Sequence, residues 1–431
     1  MKTHFKRLSK REVANCLLVL AAASTILAGP LLANNGNNII NNAYAWSSSK
    51  AVVQSSPDFD GDGKADLAIG VPNEGVGDVT SAGAVNVLYG TSSRLSSSGD
   101  QLWRQSTSGI EGTAEPFDGF GSSVAGGDFD GDGQSDLAIG VPREDIGSIN
   151  AAGAVNVLYG SSSSGLTSSG DQFWSQNSDG VLDSAESETK PDEDISDAFG
   201  TAVVAADFNG DGFSDLAIGV PGEELDSGSP MTGIDKIDTG AVNVLYGSSS
   251  GLTSEGNQFW NQDSPGIENT AGANDRFGSA LAAGDFDGDG QSDLAIGAPD
   301  ENIGDKVDVG AVNIIYGSSA SGLTSSGDQF WTRDSSGVEG TAESGDRFGV
   351  SLGTGDYNGD SNTDLAIGVP VDNVGTDEHA GSVNVLYGSD SSGLTSSNDQ
   401  LWSQDSSGIE GTTEQGDSFG ASLSQEEAAV Q

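Results

Sequence analysis

Cysteine occurs once in the 431 residues, at Cys16, and histidine twice, at His4 and His379. A lone thiol closes no disulfide within the chain, and the usual Cys/His zinc sites are excluded. Basic side chains are scarce as well. There are 16 Lys and Arg against 65 Asp and Glu, a net charge of −49. Five of those bases (Lys2, Lys6, Arg7, Lys10 and Arg11) fall in the first eleven positions, and Glu12 is the only acid before residue 46. Beyond Ala45 the chain therefore holds 64 acids and 11 bases. Such a field repels nucleic-acid phosphates and anionic lipid, and it draws in cations. Helical periodicity is also missing: no stretch of ten or more residues past residue 45 repeats its apolar positions at 3.6, and none is apolar enough to cross a bilayer as a helix.

The N-terminus is ordered by charge, then grease, then small residues. Lys2–Arg11 is basic, Leu17–Leu32 is largely apolar, and Ala43-Tyr44-Ala45 has the small-x-small form that signal peptidase accepts. Residues 1–45 are expected to be a secretory signal, with a cut after Ala33 or a retained anchor as alternatives. Either way the rest of the chain is expected outside the cell, secreted or at the cell surface.

Self-comparison finds one string five times: DFDGDGKADLAIGVP from Asp58, DFDGDGQSDLAIGVP from Asp128, DFNGDGFSDLAIGVP from Asp207, DFDGDGQSDLAIGAP from Asp285 and DYNGDSNTDLAIGVP from Asp356. Each is followed by a GAVNVLYG-like string, a QLW or QFW string ending at Trp103, Trp174, Trp260, Trp331 or Trp402, and a Phe-Gly pair at Phe120, Phe199, Phe277, Phe348 or Phe419. Four short strands per unit are predicted: Phe-Gly to the first Asp, DLAIGVP, GAVNVLYG, and the segment around the Trp. Gly, Ser and Asp clusters between them supply hairpins. Tandem four-stranded antiparallel units point to an all-β propeller, since one blade cannot bury both faces alone. A β-solenoid is the alternative; about 70 residues is long for one coil. The units run 46–119, 120–198, 199–276, 277–347 and 348–418. The first has Ala51-Val52-Val53 as its leading strand, and an orphan leading strand is predicted over 419–423 before a tail at 424–431.

The chemistry lies in the loops. In the first, Asp58, Asp60, Asp62, the carbonyl of Lys64 and Asp66 place oxygens at positions 1, 3, 5, 7 and 9. The same positions are Asp128, Asp130, Asp132, Gln134 and Asp136 in the second loop, and Asp207, Asn209, Asp211, Phe213 and Asp215 in the third. They are Asp285, Asp287, Asp289, Gln291 and Asp293 in the fourth, and Asp356, Asn358, Asp360, Asn362 and Asp364 in the fifth. Unneutralised, each pair of carboxylates ~4 Å apart at an effective dielectric of ~20 would cost about 4 kcal/mol. Hard oxygen ligands in a flexible loop suit Ca²⁺, up to five ions, with the ninth-position Asp as the bidentate ligand. This is not an EF-hand: the position that would need Glu is Ile69, and strands flank the loop. The loops are unequal. Asn209 and Asn358 remove a charge, and Ser361 stands where the other loops have Gly, so the fifth site is expected to be the weakest.

Phe-Gly, the DxDGDGxxD loop and Gly-Val/Ala-Pro, in that order over residues 51–423, resemble the FG-GAP repeat of the integrin α-subunit propeller. The resemblance implies calcium in the loops and an extracellular binding or adhesion role, with ligand on the face opposite the calcium loops. Integrins have seven blades and this chain five full repeats, which leaves ring size open. On that opposite face two insertions meet at the third unit, its own loop Gly222–Thr239 and the acidic connection 179–198 that precedes it, the expected partner surface for an extracellular protein or glycan. No membrane insertion is expected after signal cleavage. Catalysis is not expected. Gly247-Ser248-Ser249-Ser250-Gly251 matches GxSxG, yet it lies in a Gly/Ser turn with no following helix, and His379 belongs to the other face. A calcium-dependent carbohydrate-binding or carbohydrate-active propeller and a structural cell-surface protein are the alternatives.

Overall fold

The computed structural model describes residues 57–186, 196–225, 236–319, 321–390 and 392–425. The signal segment, Ala51-Val52-Val53 and parts of both insertions, 187–195 and 226–235, lie outside them. The described chain is all strand and turn. Blade 1 holds β1 (Leu67–Val71), β2 (Ala84–Tyr89) and β3 (Ser96–Trp103). Blade 2 holds β4 (Ser123–Gly127), β5 (Asp136–Val141), β6 (Ala154–Tyr159) and β7 (Thr167–Trp174). Blade 3 comprises β8 (Val203–Ala206), β9 (Asp215–Val220), β10 (Ala241–Tyr246) and β11 (Thr253–Trp260). Blade 4 comprises β12 (Ala280–Gly284), β13 (Asp293–Ala298), β14 (Ala311–Tyr316) and β15 (Thr324–Trp331). Blade 5 is β16 (Ser351–Gly355), β17 (Asp364–Val369), β18 (Ser382–Tyr387) and β19 (Thr395–Trp402). Within each blade every strand pairs antiparallel with the next in sequence, the order of a propeller blade. Among the described residues no helix is long and apolar enough to cross a membrane.

Alternation along each strand feeds two cores at once. Val155, Val157 and Tyr159 of β6 face blade 3, whereas Leu158 faces blade 1. Four large clusters fill the four junctions between successive blades, and only a small one covers the far side of blade 5. The innermost strands meet in turn, β4 on β8, β8 on β12 and β12 on β16. The tryptophans pack on these clusters, Trp174, Trp260, Trp331 and Trp402 partly buried and Trp103 buried, which is a packing role.

The Phe-Gly pair closes the preceding blade before it opens the next. Phe120 is fully buried, its amide donates to Ala82 O (2.9 Å), and the Gly121 amide donates to Gly140 O (3.0 Å). Backbone then meets backbone across each junction: a Cβ at Gly140 would lie 2.1 Å from Gly200 O, and one at Gly219 2.1 Å from Gly278 O. The Asn of GAVNVLYG, polar on an inward face, caps a loop end. Asn156, Asn243, Asn313 and Asn384 donate through Nδ2 to the carbonyls of Glu111, Leu182, Glu268 and Glu339 at 2.8–3.1 Å.

The strand expected over 419–423 does not form; the segment is turn and bend. A leading strand is held by the hairpin that follows it, and here no metal loop or second strand follows in the described chain. The Phe-Gly contacts survive nonetheless: the Phe419 amide donates to Ala380 O (2.8 Å), and Ser351 Oγ donates to Gly420 O (2.6 Å). Gln425 Nε2 then reaches Leu281 O on blade 4 (2.6 Å).

Gly140→Ala forces two backbones apart without changing polarity. Urea unfolding is expected to show a loss of about 1–3 kcal/mol, the usual cost of overpacking.

Candidate metal centres

Loops 2 to 5 each join the first two strands of a blade, and loop 1 precedes β1 at the equivalent end, so all five share one face. The first carboxylate organises the turn. Asp58 accepts from the amides of Asp62 (3.0 Å, Oδ1) and Gly63 (2.7 Å, Oδ2). Asp128 does the same for Asp132 and Gly133, and Asp285 for Asp289 and Gly290, at 3.0–3.1 Å. The ninth carboxylate ties the loop to its sheet. Asp136 accepts from Phe129 N (2.8 Å) and Gly160 N (2.9 Å), and Asp66, Asp215, Asp293 and Asp364 hold the equivalent pairs of amides. In loops 1 to 4 this leaves one lone pair on each of its oxygens for a cation, whereas Asp364 also accepts from Asn358 N (3.3 Å) and Nδ2 (3.5 Å).

The predicted acids converge in three loops. Ligand oxygens of Asp58, Asp60 and Asp62, of Asp128, Asp130 and Asp136, and of Asp285, Asp287 and Asp289 lie within 4.8 Å of one another. An all-oxygen, multiply anionic set of this kind fits a hard divalent cation rather than zinc or copper. In the third and fifth loops, Asn supplies an internal substitute. Asn209 Nδ2 donates to Asp211 Oδ2 (3.1 Å) and Asn358 Nδ2 to Asp360 Oδ2 (3.0 Å). In loop 1, Lys64 Nζ ion-pairs with Asp62 Oδ2 (2.9 Å) and donates to Asp62 O (2.9 Å), so this residue brings a cation into the loop.

The loops are stitched to the next blade, a feature the sequence pattern did not reveal. Ser135 N donates to Asp58 O (3.0 Å) and its Oγ accepts from Asp58 N (3.1 Å); Ser214 repeats both bonds with Asp128 (2.9 and 3.1 Å). The amides of Ser161, Ser248, Ser318 and Ser389 donate to the carbonyls of Phe59, Phe129, Phe208 and Phe286. Ordering a metal loop thus orders a blade junction.

Burial, with smaller contributions from neighbouring carboxylates, pushes the ninth-position acids up: Asp66 and Asp364 to about 6, Asp136 and Asp215 to about 8, and Asp293 well above its ordinary value. A raised folded-state value contributes stability below the unfolded value near 4 and loses it as pH rises through the folded value. In chelator the melting temperature is therefore expected to fall between about pH 5 and about pH 8. In ~1 M NaCl, where the Debye length of ~3 Å screens the general charge, the fall persists. A divalent cation suppresses it by favouring the ionised acids.

Ser361 has φ = 77°, against 79–91° for Gly63, Gly133, Gly212 and Gly290. A non-glycine residue held there costs about 1–3 kcal/mol. Ser361→Gly is expected to raise stability by about 1 kcal/mol and to tighten cation binding at the fifth loop, as read by calorimetric titration.

The GxSxG string forms a turn in which Gly251 N donates to Ser248 O (2.8 Å), between β10 and β11 on the metal-loop face. His379 lies in the β17–β18 connection of blade 5, on the other face, its amide bonded to Asn373 Oδ1 (3.1 Å). The two are not neighbours.

Comparison with known proteins agrees with this anatomy. The FG-GAP repeat profile matches at 53–88, 120–158, 199–229, 277–314 and 348–386. Bovine (Bos taurus) phosphatidylinositol-glycan-specific phospholipase D is 34% identical over 174 residues, 40% of this chain and 18% of that protein. Integrin alpha-PS2 of Drosophila melanogaster is 32% identical over 232 residues, 52% of this chain and 14% of its own. Integrin alpha-8 of Mus musculus is 32% identical over 253 residues, 58% and 19%. The chain spans under a fifth of the length of these relatives. A rhamnogalacturonan lyase of Bacillus licheniformis aligns at TM-score 0.32 and 13% identity, over 66% of this chain and 47% of its own, too low to inform fold or function. Five matched repeats, each folded as one blade with its acidic loop on a common face, make this chain an FG-GAP repeat protein with an integrin-like propeller.

Proposed function

We propose that the chain is a secreted, calcium-loaded propeller that presents an extracellular binding or adhesion surface. The observation that carries this is the convergence of carboxylates in three equivalent loops, in repeats shared with integrin α chains. Calcium is the fitting ion because the ligands are all oxygen, the loops are flexible at their glycines, and calcium is abundant outside cells. Its task here is mechanical: it relieves the repulsion among the loop acids and so fixes the junctions that the same loops bridge. A chain with a single cysteine, Cys16, has no internal disulfide to do this.

The surface for a partner is assigned to the face opposite the metal loops, where the strand 2–3 and 4–1 connections emerge. The third unit's loop Gly222–Thr239 and the connection 179–198 before it are the places on that face where length departs from the repeat. The partner class is an extracellular protein or glycan. Catalysis has no candidate constellation among the described residues.

Calorimetric Ca²⁺ titration and a binding screen on extracellular matrix proteins and polysaccharides test the reading. Capture is expected in Ca²⁺ and lost in chelator, and the triple variant Asp60→Asn, Asp130→Asn, Asp287→Asn should lose Ca²⁺ and melt lower in its presence. Deleting 222–239 should abolish capture with the Ca²⁺ count intact. A melting temperature unmoved by chelator, with no heat of binding, overturns the calcium assignment; turnover of a screened polysaccharide overturns the binding-module assignment.

A further inference from the structure

The face opposite the metal loops carries a second set of buried acids that the repeat pattern hides. At each junction, three side chains from two blades meet. One is the Gln two residues after the Trp, one the acid two residues after the Pro that ends strand 2, and one the Asp two residues before the Phe of Phe-Gly. At the first junction these are Gln105, Glu144 and Asp118; at the second Gln176, Glu223 and Asp197; at the third Gln262, Glu301 and Asp275. All nine are buried, 1–4% exposed. In each set the Gln Nε2 donates to the Glu Oε2, at 2.5, 2.6 and 2.7 Å. The other oxygen of each amide, Gln105, Gln176 and Gln262 Oε1, is buried without a hydrogen-bond partner, and at the third junction the Asp275 and Glu301 carboxyls meet in a side-chain hydrogen bond. Each set thus holds two carboxylates and an amide oxygen, with no cationic side chain among the three. At the third junction the nearby Lys236 is engaged with Asp263 (2.5 Å).

The fourth junction solves the same problem with a cationic side chain. There Arg333 replaces Gln, and Asp372 replaces the longer Glu. Arg333 Nη1 lies 2.8 Å from Asp372 Oδ1 and 3.2 Å from Asp346 Oδ2, with all three residues buried. The two acid positions therefore converge on a point where a cation sits. The paired changes, longer base and shorter acid, keep that point in place. An isolated buried carboxylate pair is costly without a counter-charge.

We infer that the Gln junctions are a second tier of divalent-cation sites, each built from the Glu and Asp carboxylates and the Gln Oε1, where the fourth junction carries Arg333 instead. Oxygen-only donors make the ion one of the calcium class. Burial pushes Asp118, Glu144 and Asp197 up to about 7, Glu223 to about 10, and Asp275 and Glu301 up as well, so an ion here binds in competition with protons. The inference adds sites to the calcium-loaded propeller proposed above, on the opposite face.

The test transplants the fourth junction into the third. The full chain and its Gln262→Arg/Glu301→Asp variant are compared by equilibrium dialysis with radiolabelled Ca²⁺, beside Glu301→Gln and the loop variant Asp287→Asn. Expected is one fewer ion per chain in the transplant and in Glu301→Gln. In chelator the transplant should also melt above the parent chain, because its cation is built in. An unchanged ion count in both Glu301 variants overturns the second tier, whatever Asp287→Asn does. An unchanged count in Asp287→Asn alone counts against the loop site and leaves the second tier standing.

Discussion

The constraint on which the structure depends is that no blade has a buried interior of its own. Each is a single sheet, and both faces are apolar, so stability resides in the junctions. The sequence meets this by keeping residues small where sheets cross. Gly70, Gly140, Gly219 and Gly368 stand against the Gly of the following Phe-Gly pair, with carbonyl oxygens 2.0–2.1 Å from where a Cβ would lie. Phe120, Phe199, Phe277 and Phe348, all fully buried, fill the space beside that crossing. Close backbone approach and large aromatic infill work together to give the packing density a core requires.

Charge is then the second problem, because the chain places acids at both ends of every junction. On one face, the metal loops gather carboxylates and hand their backbone to the next blade. On the other, the Gln, Glu and Asp sets lie between blades. The protein answers with every local device available: backbone amides on the first and ninth loop acids, Asn amides in loops 3 and 5, Lys64 in loop 1, and Arg333 in one junction. Where none of these is present, the acids remain to be balanced from solution. A divalent cation of the calcium class suits that role because it binds oxygen without demanding rigid geometry.

An architecture built this way separates strength from recognition. The strands and metal loops repeat nearly unchanged, so their spacing is set by packing. Length varies in the connections of the opposite face, whose described residues form isolated bridges such as Leu225–Lys236 rather than named strands. A rigid ladder of blades with variable connections on one side is a suitable platform for binding, since the varied loops are held by elements that do not change.

The sequence by itself determined the repeat, its four-stranded unit, the all-β class and the acidic loops. Each rests on local signals: a period-2 alternation, glycines at turns, and oxygens at every second position. Even the positive φ at Ser361 was legible, because it is a property of one residue in one turn. What only the tertiary structure decided concerns partners distant in the chain. It showed that residues 419–423 make no strand, since pairing needs a following hairpin. It showed that the Asn of GAVNVLYG caps a loop 45 or 61 residues away. It also brought Gln262, Asp275 and Glu301, unremarkable in three separate stretches, into one buried set. Local stereochemistry writes itself into adjacent residues; a junction between blades is assembled from segments whose only relation is that the fold presses them together.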